Sequence, residues 1–205
     1  VGDAARLLRA RGRAMQAAVP VGVGAMAALL GLNFEAARDV AEAAAEGEVC
    51  QAANDNDPGQ VVVSGHKAAV ERAVDLAKEK GAKRAVILPV SAPFHCALMA
   101  PAADAMQEAL AAVKIAAPKV PVVANVRAEA VADPEEIRGL LIAQITGSVR
   151  WRESVEWMSA NGVSDIWEIG AGKALSGMVR RINRDISCRN IAQPADVSAA
   201  VDSLN

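Results

Sequence analysis

Apolar positions along this chain follow two spacings, one typical of strands and the other typical of amphipathic helices. Between residues 24 and 90 they predict, in chain order, a strand at 25–30, a helix at 34–46, two strands within 48–63, a helix at 67–80 and a strand at 84–90. A polar turn over residues 54–59 separates the two central strands, and Gly81 ends the second helix as a C-cap. The order β-α-β-β-α-β is that of a ferredoxin-like fold. We therefore expect residues 24–90 to form a ferredoxin-like small subdomain.

The segments on either side of this unit also alternate between helix and strand. A helix at 4–19 comes first, with Asp3 as its expected N-cap. Beyond residue 90 the pattern predicts, in order, a loop, a helix at 98–113, a strand at 120–126, helices at 134–145 and 151–160, a strand at 165–169 and a helix at 175–183. Asp133, Pro134 and Glu136 mark the start of one of these helices as N-cap, first residue and capping-box partner. Residues 1–23 and 91–205 are thus expected to form a larger α/β core, and the fold class is α/β.

Composition narrows the classes of function. The 205 residues are 53% hydrophobic and 22% charged, enough for a substantial core, and the net charge is −2 with both signs interspersed. This balance provides no basic surface for nucleic acid or for an anionic membrane. Cys50, Cys96 and Cys188 are an odd number at wide spacing, which predicts reduced thiols and no metal site. No apolar run reaches 18 residues and no signal peptide is present, so a cytoplasmic location is expected.

Few side chains here could perform acid–base chemistry near neutral pH, because the chain has two histidines and no tyrosine. His95 lies in a predicted loop just before a helix N-terminus, where the helix dipole favours the neutral imidazole that a general base needs. Position alone leaves a catalytic and a structural role for His95 equally open. His66 follows a strand and opens a helix, which favours a surface or capping role. Cys96 adjoins His95, but neighbouring side chains diverge, so a packed thiol is favoured over a Cys-His nucleophile.

Arg11 and a glycine-rich turn are two further candidates for binding an anion. Arg11 shares a helical stripe with Leu7 and Met15, so its guanidinium should be partly desolvated and should need an anion. An internal carboxylate is slightly favoured, and a substrate carboxylate held by two hydrogen bonds stays open. The segment Gly170–Lys173 lacks the spacing of a phosphate-binding loop, and Ala174 stands where Ser or Thr would bind magnesium. We interpret it as a tight strand-to-helix turn.

Six segments in order carry a resemblance to a known family. They are Arg11-Gly12 with Met15-Gln16, Asn54 with Pro58–Gly65, Pro93–Met99, Pro121–Asn125, Gln144 with Val149–Trp151, and Glu168–Lys173. Along almost its whole length the chain resembles the malonyl-CoA:acyl carrier protein transacylases. In that family a ferredoxin-like subdomain is inserted in an α/β-hydrolase-like core. The resemblance implies that residues 1–23 and 91–205 are part of such a core.

The resemblance also implies an activity and roles for particular residues. The malonyl group would pass from malonyl-CoA to the phosphopantetheine thiol of acyl carrier protein, for fatty acid biosynthesis, without a cofactor or metal. A serine on a Gly-x-Ser-x-Gly elbow would attack the thioester, with His95 as its base. Arg11 would hold the free malonyl carboxylate. The main-chain carbonyl of Gln144 would orient His95, so that the place of this residue would matter more than its side chain.

Two more positions concern the pocket. Phe94 is similar to the residue that narrows the pocket of related acyltransferases against an α-methyl branch, which implies malonyl rather than methylmalonyl. Asn54 and Asn56 are expected either to line the cleft between the subdomains or to form a turn.

The chain departs from the family pattern in two respects. It contains no Gly-x-Ser-x-Gly, for which Ser64 does not substitute, and it lacks the amino-terminal glutamine of the family's oxyanion site. The chain starts at Val1 rather than Met, and in the family the helix that carries the arginine matching Arg11 closely follows the nucleophile elbow. We therefore expect the serine upstream, in a monomer that binds coenzyme A thioesters and acyl carrier protein. Two alternatives stay open. One is an acyltransferase domain of a polyketide or multifunctional fatty acid synthase; the other is a non-catalytic module that binds acyl carrier protein or a ligand.

Overall fold

The computed structural model describes residues 1–204, in which helices and strands alternate. The helices are α1 (Gly2–Ala18), α2 (Phe34–Ala45), α3 (Lys67–Glu79), α4 (Ala100–Ala111), α5 (Pro134–Ala143), α6 (Trp151–Ala160), α7 (Ala174–Ile182) and α8 (Pro194–Asp202). The strands are β1 (Gly24–Leu30), β2 (Cys50–Asp57), β3 (Gln60–His66), β4 (Arg84–Ile87), β5 (Val122–Ala124), β6 (Glu129–Val131), β7 (Val149–Arg150), β8 (Asp165–Ile169) and β9 (Ser187–Ile191). A short 3-10 turn, Ala97–Met99, leads into α4. None of the helices described is both long and apolar enough to cross a membrane.

Strands β1 to β4 form an antiparallel sheet in the order β4-β1-β3-β2. One face carries Leu29, Val61 and Val63, and α2 and α3 cover it to form the largest buried cluster. The other face carries a smaller apolar group around Met26 and Val62. The element order β-α-β-β-α-β that the apolar pattern predicts for this region is the observed one.

A fifth strand joins this sheet from a distant part of the chain. Strand β7 pairs in parallel with β2, with Asn54 opposite Val149 and Asp55 opposite Arg150. The first turn of α6 follows at once and brings Arg152 onto Asp55, whose side chain is 1% exposed. Arg181 of α7 makes a second ion pair, at 2.8 Å, with Asp57. The edge of the small sheet is therefore tied to α6 and α7 by backbone pairing and by two ion pairs.

The predicted turn over residues 54–59 is wrong. Strand β2 continues through Asp57, and only Pro58 and Gly59 remain between it and β3. A run of Asn and Asp normally favours a turn, because such residues compete with strand hydrogen bonds. Here the two aspartates can lie buried in a strand because arginines of α6 and α7 reach their carboxylates.

Two details of helix capping also differ from expectation, and four elements were not predicted. Asp3 lies inside the first turn of α1, where it pairs with Arg6, and Val1 holds the N-cap position. Asp133 is an N-cap as predicted, accepting from the amides of residues 135 and 136 at 3.0 and 2.8 Å. Glu136 pairs with Arg127 instead of completing a capping box. Strands β6, β7 and β9 and helix α8 are additional to the predicted elements.

The rest of the chain packs in two groups. Helices α1 and α4 enclose Met15, Met99, Met106 and Leu110. Strands β8 and β9 pair in parallel, and α6 and α7 pack beside them around Val179. The turn that carries His95 lies between β4 and α4, at the point where the first of these groups meets the small sheet.

Candidate active site

His95 is held in one orientation by a main-chain carbonyl. Its Nδ1 lies 2.9 Å from the carbonyl oxygen of Gln144, which can only accept a hydrogen bond. Nδ1 therefore carries the proton, and the lone pair of Nε2 is left for another partner. This is the arrangement of a general base, in which one ring nitrogen is held by a fixed acceptor and the other can take a proton.

The side chain of Gln144 has a structural task of its own. Its Nε2 donates to the carbonyl oxygens of Gly147 and Ser148, at 2.9 and 3.2 Å. These two hydrogen bonds fold the segment that follows α5 back toward Gln144. These side-chain hydrogen bonds were not expected from the sequence, where only the position of the Gln144 carbonyl was assigned importance.

Arg11 lies near His95 and has no anionic partner within residues 1–204. It is partly buried on α1, beside the cluster that contains Met15, and no carboxylate lies within ion-pair distance of its guanidinium. The internal carboxylate that sequence reasoning favoured slightly is thus not found among the described residues. Burial lowers the pKa of Arg11, but an arginine stays protonated at any physiological pH. A half-buried cation next to a candidate base is suited to bind a carboxylate from outside the chain.

The surroundings of His95 favour its neutral form. Burial lowers the pKa of His95, and the charge of Arg11 lowers it further, whereas the bond to the Gln144 carbonyl acts in the opposite direction. The net shift is downward, so the imidazole stays unprotonated to a lower pH than a free histidine would.

We expect an NMR titration of the intact protein to show the His95 ring protonating below about pH 6.5, the usual pKa of histidine. Replacing Arg11 with methionine removes a neighbouring positive charge at similar side-chain length, so the midpoint for His95 should rise. The same upward shift should appear in the acid limb of kcat/KM. A wild-type midpoint above the usual value would contradict this prediction.

Phe94 connects the His95 turn to both sides of the site. It packs against the α1–α4 cluster and also against the open face of the small sheet. The structure therefore brings His95, Gln144, Arg11 and Phe94 into one region. Asn54 and Asn56 lie on β2 and do not line the groove at His95.

A groove of about 430 Å³ reaches His95 from the side of α2. Its lining comes from both halves of the molecule and includes Arg38 of α2, Gln51 of β2, His95, and Thr146 and Ser148 of the segment after α5. Gln51 is fixed there, because its side-chain oxygen accepts from the amide of Ala97 at 2.7 Å. Neither Arg11 nor Phe94 lines this groove.

Two other candidates, His66 and Cys96, have structural partners. The ring of His66 accepts a hydrogen bond from the amide of Val49 at 2.9 Å and makes no side-chain cap to α3. The Cys96 thiol is fully buried and bonds to the carbonyl of Pro93 at 3.2 Å, and burial raises its pKa. Its environment is that of a packed thiol.

The amides at the start of α7, after the glycine-rich turn, are not free to bind a phosphate. The carboxylate of Glu168 accepts from the amides of Leu175 and Ser176, at 3.1 and 2.8 Å, and from the Ser176 hydroxyl. The first amides of the helix are therefore already paired, and the segment serves as a strand-to-helix turn, as interpreted from the sequence.

Ser148, Asp55 and Arg152 were not singled out from the sequence. Ser148 donates a hydrogen bond to the carbonyl of Ala52 on β2. Nothing in the local pattern marks these contacts, since they join residues 96 and 97 positions apart. Nothing in the polar run over residues 54–57 indicated that its aspartates would be buried and would need partners.

Comparison with known proteins finds a matching family model, similar curated proteins and similar solved structures. The family model described as "Acyl transferase domain" matches residues 1–139. A malonyl CoA-acyl carrier protein transacylase of Escherichia coli strain K12 is 47% identical over 200 residues, covering 98% of this chain and 65% of the relative. A solved acyl-carrier-protein-S-malonyltransferase from Bartonella henselae has a TM-score of 0.94 at 56% identity, covering 98% of this chain and 64% of its own.

A further solved structure shows a malonyl-transacylase in complex with a type II PKS acyl-carrier protein. Its TM-score is 0.92 at 42% identity, and the match covers 97% of this chain and 64% of that one. The chain thus spans about 65% of the length of the curated relatives that it matches.

Proposed function

Because the chain belongs to the acyl transferase domain family, we propose that it is the His95-bearing part of a malonyl-CoA:acyl carrier protein transacylase. One observation carries the proposal. A histidine with its Nδ1 held by the Gln144 carbonyl lies beside an arginine that has no anion of its own within the described residues. The first group suits proton transfer, and the second suits a substrate with a free carboxylate.

The chemistry requires a serine that these 205 residues do not contain in an elbow motif. We place it in the third of the relatives' length that the chain does not span. His95 Nε2 would take the hydroxyl proton as the serine oxygen attacks the malonyl thioester, and it would return that proton to the departing coenzyme A thiolate. In the second half His95 would take the proton of the phosphopantetheine thiol as that thiol attacks the malonyl-serine ester. The serine oxygen leaves with that proton from His95, and the malonyl group is then a thioester of acyl carrier protein.

Substrate selection in this proposal depends on Arg11 and Phe94. The guanidinium would bind the malonyl carboxylate through two parallel hydrogen bonds, which a neutral acetyl group cannot supply. Phe94, packed between two apolar clusters, would limit the width of the pocket next to the reacting carbon. This supports malonyl as the acyl group rather than a branched analogue.

The architecture supports the same proposal. We interpret residues 24–90 as a ferredoxin-like subdomain inserted in an α/β-hydrolase-like core made by residues 1–23, 91–205 and the part that the chain does not span. The strand order β4-β1-β3-β2 with both helices on one face supports the first assignment. The parallel pair β8–β9 with α6 and α7 beside it supports the second.

Acyl carrier protein is the acceptor that we propose, with fatty acid biosynthesis as the process. The curated relatives carry this acceptor in their names, and one structural neighbour was solved with an acyl-carrier protein bound. No metal or cofactor takes part in the proposed reaction, in which the base and the anion-binding group are both side chains of this chain.

Replacing Arg11 with alanine in the intact protein tests this assignment. Loss of a charged, two-bond contact to the malonyl carboxylate should cost about 2 to 4 kcal/mol, or roughly 30- to 1,000-fold in the preference for malonyl-CoA over acetyl-CoA. The measurement is kcat/KM for the two donors with the same acyl carrier protein. Arg11→Lys keeps the charge but not the planar fork, so it should recover only part of the preference. An unchanged preference in Arg11→Ala would rule out this role.

A further inference from the structure

The segment that follows α5 connects His95 with the small sheet. It begins at Gln144, whose carbonyl accepts from His95 Nδ1, and it ends in β7, which pairs with β2. Between these points the chain turns sharply, so the position of the Gln144 carbonyl depends on what holds the turn.

A series of hydrogen bonds holds it. The Gln144 amide donates to the carbonyl of Ser148 at 3.2 Å, and the Ser148 hydroxyl donates to the carbonyl of Ala52. Ala52 directly precedes Ala53, the extra residue of a bulge in β2 where the register with β3 shifts. Of the side-chain hydrogen bonds within residues 1–204, the bond from Ser148 is the one that joins residues 144–148 to the small sheet.

We propose that Ser148 is a positioning residue for His95. Its hydroxyl fixes the turn after α5 to β2, which keeps the Gln144 carbonyl against Nδ1 and so keeps the imidazole in the form whose Nε2 is free. Ser148 also lines the groove that reaches His95, so the tether lies directly beside the ring that it orients. The effect on rate rests on the proposed transferase function, whereas the effect on the protonated ring nitrogen does not.

Loss of this tether has a predictable consequence for the ring. Without a fixed acceptor at Nδ1, both neutral forms of the imidazole are populated, and only one of them offers Nε2 as a base. The Gln144 bond also raises the pKa of His95, so weakening it should lower that pKa. A change in overall stability alone would shift neither quantity.

The experiment is Ser148→Ala in the intact protein, with long-range nitrogen–proton NMR spectra used to locate the ring proton of each histidine. Wild-type His95 should carry its proton on Nδ1. His66 should carry its proton on Nε2, because its Nδ1 accepts from Val49.

In Ser148→Ala the form of His95 with its proton on Nδ1 should lose population. We expect kcat to fall roughly 10- to 100-fold because the base is misplaced, and KM for malonyl-CoA to stay the same. The acid limb of kcat/KM should move to lower pH, and Ser148→Thr, which keeps the hydroxyl, should restore all of these properties.

Ser154→Ala is the matched control. Its hydroxyl also donates to a main-chain carbonyl of this segment, that of Arg150 at 2.7 Å, but it has no bond to the turn that holds Gln144. An unchanged proton position and kcat in Ser148→Ala would overturn the proposal. If that variant fails to fold, Ser148→Cys, with a weaker donor, provides the same comparison. If the proton position shifts while wild type itself transfers no malonyl group, the positioning role stands and the proposed function fails.

Discussion

In the intact protein, replacing His95 with alanine is expected to lower kcat/KM for malonyl transfer to acyl carrier protein by roughly 10²- to 10⁴-fold. In the proposed mechanism the imidazole is the proton acceptor in both half-reactions, so both should slow. Formation of the malonyl-enzyme can be followed by a rapid quench with labelled malonyl-CoA. Transfer onward can be followed from an enzyme that was malonylated beforehand.

His66→Ala is the control for this experiment. It removes the other histidine of the chain, whose ring serves only as an acceptor for the amide of Val49 in the structure. We expect transfer to be retained and stability to fall by about 1 kcal/mol, the usual contribution of one hydrogen bond. Full activity in His95→Ala would exclude the base assignment.

Replacing Arg152 with methionine is expected to destabilise the intact protein by about 3 kcal/mol. The Arg152 guanidinium donates to both oxygens of Asp55, at 2.8 to 3.2 Å, and the Asp55 side chain is 1% exposed. Without Arg152 that carboxylate would be buried without a counter-charge. The midpoint of urea unfolding, compared with wild type at constant slope, measures the effect.

Two further variants separate the loss of the ion pair from the loss of packing. Burial raises the pKa of Asp55, and Arg152 opposes this shift. A buried ion pair often contributes little net stability, because both charges lose their water. Asp55→Val combined with Arg152→Met should therefore recover most of the lost stability. Arg181→Met breaks the corresponding pair with Asp57, but Arg181 is 53% exposed, and water can take its place, so a smaller loss is expected. Equal losses of stability in Arg152→Met and Arg181→Met would show that the burial of the arginine does not determine the size of the effect.

The apolar pattern was sufficient to predict the elements of the small sheet, because each of its helices buries one face and its strands β1 and β3 are continuous runs of buried residues. It did not identify β7, which has two residues and forms only because β2 offers an edge for it. It also failed where polar residues lie in a strand, at Asp55 and Asp57, since their partners are 97 and 124 residues away. Local sequence cannot show that a distant arginine will satisfy a buried carboxylate.

The residues of the site, too, could be predicted only in part from the sequence. The scarcity of histidine reduced the candidate bases to two, and the helical stripe of Arg11 predicted a partly desolvated cation with a need for an anion. Which carbonyl would face His95 Nδ1 came from the family resemblance. The tether through Ser148 could come from neither source, because it depends on the meeting of a bulge in β2 with a turn that follows α5.

The backbone of His95 has φ of +58°, in the left-handed region that a residue with a side chain enters at a cost of roughly 1 to 2 kcal/mol. Glycine would adopt this turn more readily, and asparagine would tolerate it. Selection of variants for heat resistance alone should therefore favour glycine or asparagine at this position and yield stable proteins that lack the base. Stability and activity make opposite demands on this single residue, so an engineering programme should hold position 95 fixed while it seeks stability elsewhere.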